Sequence, residues 1–296
     1  MMKILVTGKN GQLGRSIQKL ISNYDHHEFT LTGREELDLS SSESISKYFD
    51  THSHFDVIIN CAAYTAVDRA EDEIDLANRI NHLAVKKLAE FANLQNTKLI
   101  HISTDYVFDG KSESLYLEND TPNPVNVYGK TKLLGEKAAL KTMPNNLIIL
   151  RTSWVYSEFG NNFVKTMLKL GYEKNEINVV SDQKGSPTYA TDLAKAILHI
   201  ISNDNFNKKS FPTKIFHFSN IGETSWYEFA KEIFKIANLN CRVNSIGSEE
   251  YQTLALRPKN TTLSKEKITN HFKLKISSWQ KSLKDCLSEI LKIKNT

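Results

Sequence analysis

The 296-residue chain is poor in glycine (12) and proline (6) and holds only three cysteines. That scarcity excludes a collagen-like or low-complexity chain, and 40% hydrophobic residues supply enough apolar surface to offset chain entropy in a folded core. Cys61, Cys241 and Cys286 are widely spaced with no C-x-x-C pair. They form neither a disulfide framework nor a structural zinc site, and they fit a reducing compartment. Long apolar runs are missing: Val57-Ile58-Ile59 and Leu147 to Leu150 fall far short of the ~20 residues that a bilayer span requires. Met1-Met2-Lys3 leads directly into a strand, with no h-region or cleavage site, so a cytoplasmic protein without a membrane partner is expected. Dense basic blocks are absent too. The 38 basic and 34 acidic residues leave a net charge of +4, carried by dispersed lysines mainly in the C-terminal third, which disfavours nucleic acid and suits an anionic ligand. The nine histidines are scattered, and no H-E-x-x-H, P-loop or G-x-S-x-G string occurs. No metal set is read, and no metal is needed for folding.

What is present is an alternation of short apolar runs with helical spacing. Lys3 to Thr7 predicts a strand, and Leu13, Ile17, Leu20 and Ile21 mark a helix after it. The pattern returns as a strand at Phe29 to Thr32, a helix at Ser42 to Phe49, and a strand at Val57 to Asn60 whose continuous apolar character implies burial on both faces. A long helix at about Ile74 to Ala92, a strand at Lys98 to Ser103, a helix at Val125 to Lys141 and a strand at Leu147 to Thr152 continue it. The predicted fold class is α/β, a doubly wound parallel sheet of Rossmann type. Beyond Trp154 the alternation weakens to helices at Asn162 to Gly171, Thr191 to Ile201, Ser225 to Ala237 and Trp279 to Ile293, with strands at Ile177 to Val180 and Ile215 to Phe218. These read as the last sheet strands followed by a smaller C-terminal lobe. Residues 1–180 are expected to form the nucleotide domain, with sheet elements continuing to about 220, and 181–296 mainly a substrate-binding lobe interleaved with it. Asn203 to Thr213 is the most linker-like stretch.

Between the first strand and first helix stands Thr7-Gly8-Lys9-Asn10-Gly11-Gln12-Leu13-Gly14. Gly8 permits the tight turn, Gly11 lets backbone approach a pyrophosphate, and Gly14 lets the helix pack on the strand. The helix N-terminus at Gln12 and Leu13 then presents N–H groups to the anion, so dinucleotide binding is expected. An enzyme that selects NAD usually carries an acid at the end of the second strand, but here that end reads Leu31-Thr32-Gly33-Arg34. Arg34 is therefore expected to accept NADPH, with NADH still open and a merely solvated arginine the competing reading. Asp38-Leu39 is placed to flank the adenine.

Tyr128 and Lys132 lie four apart on a predicted helix, hence on one face. A free phenol titrates near ~10, and a cation one turn away favours the phenolate, so the pair is expected to act as a proton donor and its tuner. Upstream, Ile102-Ser103-Thr104-Asp105-Tyr106 ends a strand with hydroxyls at the sheet's C-terminal edge, where open α/β sheets bind ligands.

The glycine loop, Asn60 to Asp68 (NCAAYTAVD), Ser103 to Gly110 (STDYVFDG), Val127 to Lys132 (VYGKTK) and Arg151 to Tyr156 (RTSWVY) together resemble the extended short-chain dehydrogenase/reductase family, and within it the dTDP-4-dehydrorhamnose reductase branch. The likeness runs from Lys3 to Asp192 and resumes at Arg257-Pro258. It implies NADPH-dependent reduction of the 4-keto group of dTDP-4-dehydro-L-rhamnose, a step that supplies a polysaccharide or O-antigen precursor. It implies that Thr104, Tyr128 and Lys132 are the catalytic triad, that Lys132 also holds the nicotinamide ribose, and that Ala63, Tyr64 and Thr65 lie over the cofactor. Val67, Thr104, Asp105, Tyr106 and Trp154 would contact the deoxysugar, with a core role for Trp154 as the competing reading. Arg257 offers a fork suited to a diphosphate, against a plain surface arginine. Some relatives form dimers bridged by magnesium on glutamates, but the corresponding positions here are Ser16 and Thr191. Neither is a carboxylate, which argues against that ion, and a homodimer stays open. Two alternatives remain: a reductase or epimerase acting on another nucleotide ketosugar, and a non-catalytic regulatory subunit of the same fold, against which the intact triad argues.

Overall fold

Val57–Asn60 and Leu147–Thr152 are buried at every residue, as strands covered on both faces must be. The computed structural model describes residues 1–52 and 54–294. In chain order the elements are β1 (Lys3–Thr7), α1 (Gln12–Leu20), β2 (Glu28–Thr32), α2 (Ser42–Thr51), β3 (Val57–Asn60), α3 (Ile74–Asn78), α4 (Ala84–Leu94), β4 (Lys98–Thr104), α5 (Val127–Thr142), β5 (Leu147–Thr152), β6 (Val155–Tyr156), α6 (Phe163–Glu173), β7 (Glu176–Val180), β8 (Lys184–Gly185), β9 (Thr188–Tyr189), α7 (Ala190–Ile201), α8 (Asp204–Asn207), β10 (Lys214–His217), β11 (Thr224–Ser225), α9 (Trp226–Ile236), β12 (Arg242–Ile246), α10 (Glu266–Phe272) and α11 (Trp279–Lys294). A π-helical turn, Arg79–Leu83, joins α3 to α4.

The central sheet has six parallel strands in the order β2-β1-β3-β4-β5-β10. The winding reverses between β1 and β3, so the crevice for a ligand opens at the carboxyl ends of those strands. One face carries the core of α1, α7 and α10, around Leu13, Ile17, Ile197 and Ile268. The other carries α2, α4 and α5, around Ile45, Leu88 and Ala139. A third core, around Met167, Phe229, Ile233 and Leu287 of α6, α9 and α11, belongs to the C-terminal lobe. None of the described helices is long and apolar enough to cross a membrane.

The two lobes interleave along the chain on either side of residue 180. Ile177 to Val180, read from sequence as one of the last sheet strands, lies outside the central sheet: β7 pairs in parallel with β12, a strand the sequence pattern did not reveal. Its alternating burial suits a two-stranded ribbon with one wet side, which local apolarity alone does not distinguish from a sheet strand. Conversely α7 and β10 return to the nucleotide-binding body. The Asn203 to Thr213 stretch is no free linker, since it contains α8 and buries Phe206 and Phe211 against the sheet core. Also missed was α10, a seven-residue helix too short for its periodicity to stand out.

Candidate active site

Gly8 has φ +74°, and a Cβ there would lie 2.8 Å from Ala62 N. A Cβ on Gly14 would lie 2.2 Å from Gly8 O, so only glycine lets the loop after β1 close against both α1 and the loop after β3. The nine-residue α1 starts from Gly11, which has no capping side chain, and its first turn holds no acid. The N–H groups of Gln12, Leu13 and Gly14 therefore face an open, exposed loop with a positive dipole end. This is a cradle that fits a pyrophosphate. The side chain of Gln12 is not free to join it. Its amide donates to Val155 O at 3.2 Å, and its oxygen accepts from Ser157 Oγ at 2.9 Å and Asn162 Nδ2 at 3.0 Å. Leu13 likewise buries its side chain in the core, so each contributes backbone alone.

The end of β2 differs from the sequence expectation. An acid does sit there: Glu36, brought back by the turn, accepts from Gly33 N at 2.8 Å and pairs with Lys9. Lys9, and then the Gly33 N–H, hold the Glu36 carboxyl below its usual range. Arg34 is exposed, with Asp38 at 3.5 Å. Leu39 buries its side chain, 7% exposed, in the core under α2. Asp38 is held by Ser40 N at 2.9 Å and Ser40 Oγ at 2.7 Å. With the Arg34 side chain 79% exposed and its contact to Asp38 long, Arg34→Asp is expected to weaken NADPH relative to NADH by about 1–3 kcal/mol, read as the ratio of kcat/KM values. An unchanged ratio would overturn the assignment.

The loop after β3 carries Ala63, Tyr64, Thr65 and Val67. It is pinned by Asn81 of the π turn, whose Oδ1 accepts from Tyr64 N at 2.9 Å and whose Nδ2 donates to Tyr64 O at 3.0 Å. Tyr64 donates its phenol to Glu73 at 2.6 Å. Thr65 is exposed and Val67 partly so.

Helix α5 is capped by Asn126, which accepts from Gly129 N at 2.8 Å. Two glycines bring it close. A Cβ on Gly129 would meet Tyr106 O, and one on Gly135 would meet Asn81 O, each at 2.1 Å. These contacts set Tyr128 and Lys132 beside the carboxyl end of β4, where Thr104 and Asp105 begin a short 3₁₀ turn. Tyr106 meets the Tyr128 ring edge-on with centroids 5.7 Å apart. Lys132 is 1% exposed and donates to Ile102 O at 2.6 Å. Loss of hydration brings its ammonium down to about 8, against the opposing pull of Glu136. The phenol of Tyr128 is not lowered as the sequence spacing suggested. Desolvation pushes it up to about 12, the hydrogen-bonded Thr104 hydroxyl works against the rise, and Asp105 adds to it. Lys132, for its part, directs its ammonium to the Ile102 carbonyl.

Glu136, completely buried, receives both forks of Arg151, at 2.9 Å from Nε and 2.7 Å from Nη2. This pair ties β5 to α5, and the sequence reading passed over it.

Arg257 and Trp154 are committed more than expected. Arg257 grips Asp68 through two bonds, at 3.1 and 2.6 Å, and this fork holds the Asp68 carboxyl below its usual range. Its guanidinium thus ties the lobe to the loop after β3, and is not left open at the surface. Trp154, at φ +48°, stacks one face on Trp226 with centroids 3.5 Å apart, and Gly185 packs on its indole. Trp154 is thus partly buried against the lobe through Trp226.

The model of the family described as RmlD substrate binding domain matches residues 2–292. A dTDP-4-dehydrorhamnose reductase of Aggregatibacter actinomycetemcomitans is 41% identical over 291 residues, covering 96% of this chain and 98% of that relative. A crystal structure of a dTDP-4-dehydrorhamnose reductase from Clostridium acetobutylicum aligns with TM-score 0.91 at 40% identity, covering 98% of this chain and all of the other. One from Bacillus anthracis, in complex with NADP, aligns with TM-score 0.90 at 38% identity over 97% of this chain and 99% of the other.

Proposed function

Since the chain belongs to the RmlD substrate binding domain family, we propose that it reduces the 4-keto group of dTDP-4-dehydro-L-rhamnose with NADPH to give dTDP-L-rhamnose. The observation that carries the reading is the convergence of Thr104, Tyr128 and Lys132 at the carboxyl end of β4, one crevice away from the glycine cradle. The cradle fits the pyrophosphate of a dinucleotide, and the exposed Arg34 fits the charge of its 2′-phosphate. When bound, NADPH supplies the hydride that the ketone carbon gains. The carbonyl π electrons move onto oxygen, which takes the proton of the Tyr128 phenol, and solvent returns that proton to Tyr128. Thr104 donates to the same oxygen as negative charge grows on it. Lys132, freed from Ile102 O, holds the cofactor ribose and brings the phenol down. Val67, Tyr106 and the Trp154 rim would bound the sugar, and the lobe built on α6, α9 and α11 would hold the nucleotide. The product is a nucleotide sugar ready for polysaccharide synthesis. We place the enzyme in the cytoplasm, in keeping with its three free thiols.

The test is NADPH oxidation by the full chain against a panel of nucleotide 4-ketosugars. Turnover is expected on the dTDP-linked 4-dehydro-L-rhamnose. Absence of turnover on the whole panel would overturn the reading in favour of a non-catalytic subunit, and a preference for a UDP- or GDP-linked sugar would reassign the substrate. Metal is a separate matter. Ser16 is fully buried and donates to Gln12 O at 2.9 Å, and Thr191 is also buried. Neither presents a carboxylate to a bridging cation, so EDTA is expected to leave both rate and sedimentation unchanged. A rate or a size that falls on chelation would overturn this.

A further inference from the structure

Asp105 is 2% exposed, and among the described residues no ion pair reaches it. Its carboxyl meets Thr104 Oγ1 at 3.1 Å on one oxygen and Thr261 Oγ1 on the other, with the backbone N–H groups of Asp105 and Tyr106 also turned toward it. The cations nearest in the fold are committed elsewhere: Lys132 of α5 to Ile102 O, Arg257 to Asp68, and Lys184 of the lobe to Glu223. Tyr106 on its own turn and Tyr128 on α5 face it as neutral phenols. A buried carboxylate with no cation beside it is costly, which favours the neutral acid even against the donors around it.

The hydrogen-bond count on Thr104 then becomes decisive. A threonine hydroxyl has one proton and two lone pairs. One lone pair accepts from Tyr106 N at 3.2 Å. If Asp105 is ionised, it can only accept, so the single Thr104 proton is drawn to Asp105 and not to a substrate. If Asp105 is neutral, its own O–H fills the second lone pair of Thr104, Thr261 donates to the other carboxyl oxygen, and the Thr104 proton is released toward the site. The Tyr128 phenol, which hydrogen-bonds the Thr104 hydroxyl, stands on that released side.

Resting on the reductase reading above, we propose that Asp105 works as a neutral acid and is a positioning residue that turns the Thr104 hydroxyl into a donor for the ketone oxygen, with Thr261 of the lobe completing the arrangement. Burial, opposed by Thr261 and then by Thr104, pushes the Asp105 carboxyl up to about 7, so the donor state is populated below neutrality and lost above it.

The experiment is the pH profile of kcat/KM for the full chain with NADPH and the dTDP-ketosugar. Wild type is expected to fall about tenfold per pH unit above about 7. Asp105→Asn presents an N–H to Thr104 at every pH, so it should keep activity at pH 6 to within about tenfold and lose this alkaline limb. Thr261→Val removes a donor that favours the ionised form, so the limb should move to higher pH. A limb that persists in Asp105→Asn overturns the proposal. So does a folded Asp105→Asn enzyme that binds NADPH but loses more than about a hundredfold at pH 6, since that would make the charge essential. Should Asp105→Asn fail to fold, the Thr261→Val limb decides: an upward move supports the proposal, and an unmoved or lowered limb overturns it. An infrared pH titration of the wild type follows the carboxyl without turnover. A protonated buried carboxyl below neutrality, with its transition raised in Thr261→Val, is expected, and its absence overturns the inference. Wild type that turns over nothing at any pH, while this carboxyl still titrates, counts against the function and not against Asp105.

Discussion

Tyr128→Phe is expected to lower kcat by about 10²–10⁴-fold with little change in NADPH affinity. The phenol donates its proton only as the ketone oxygen gathers charge, so deleting it removes an interaction made mainly in the transition state. Its resting state supports this division of labour. Held up to about 12 by desolvation, the phenol keeps its proton at neutral pH and has it to give. Lys132→Met should behave differently, lowering turnover and weakening cofactor binding together, because the ammonium serves both groups. Single-turnover rates and NADPH titrations of both variants separate the two effects. A Tyr128→Phe enzyme that reduces the ketosugar at a rate comparable to wild type would show that the acid lies elsewhere.

The second large effect concerns stability. Glu136→Ala is expected to cost about 3–5 kcal/mol, because it strands the Arg151 guanidinium, 2% exposed, without its counter-charge. Arg151 has no easy substitute. Its Nη1 already lacks a partner, and the Phe108 ring, 5.1 Å from the guanidinium carbon, offers only a cation–π contact. Urea unfolding should show a lower midpoint with an unchanged slope. Replacing both partners by leucine should recover most of the loss, since no charge is then left buried. A Glu136→Ala loss below about 1 kcal/mol would mean that water enters and solvates the arginine.

How far the fold could be read from the residues follows from the range of each signal. β3 and β5 were legible to the residue, since a run such as VIIN needs no partner to declare itself apolar on both faces. The glycine cradle was legible because the turn, the close approach and the helix start all fall within Gly8 to Gly14. Tyr128 and Lys132 were legible as a pair because one helical turn fixes their common face. β7 was visible as a strand, but its place was not. Pairing with β12, about 65 residues on, depends on which hydrogen-bonding edge is free once the sheet has formed.

The sequence by itself thus determined the α/β alternation, the dinucleotide cradle, the Tyr-Lys face and the hydroxyl-bearing end of β4, all of which rest on periodicity and backbone freedom within a few residues. Tertiary structure alone decided what each side chain is bonded to. It spent Gln12 on the segment around Ser157 and returned Glu36 to Gly33 and Lys9. It closed Arg257 on Asp68 across 189 positions and joined Thr261 to Asp105 across 156. It also lifted the Tyr128 phenol where spacing alone had suggested a fall. The physical reason is the same in each case. Hydration and charge pairing belong to the three-dimensional neighbourhood of a group, and that neighbourhood here is assembled from β1, β3, β4, α5 and the C-terminal lobe together.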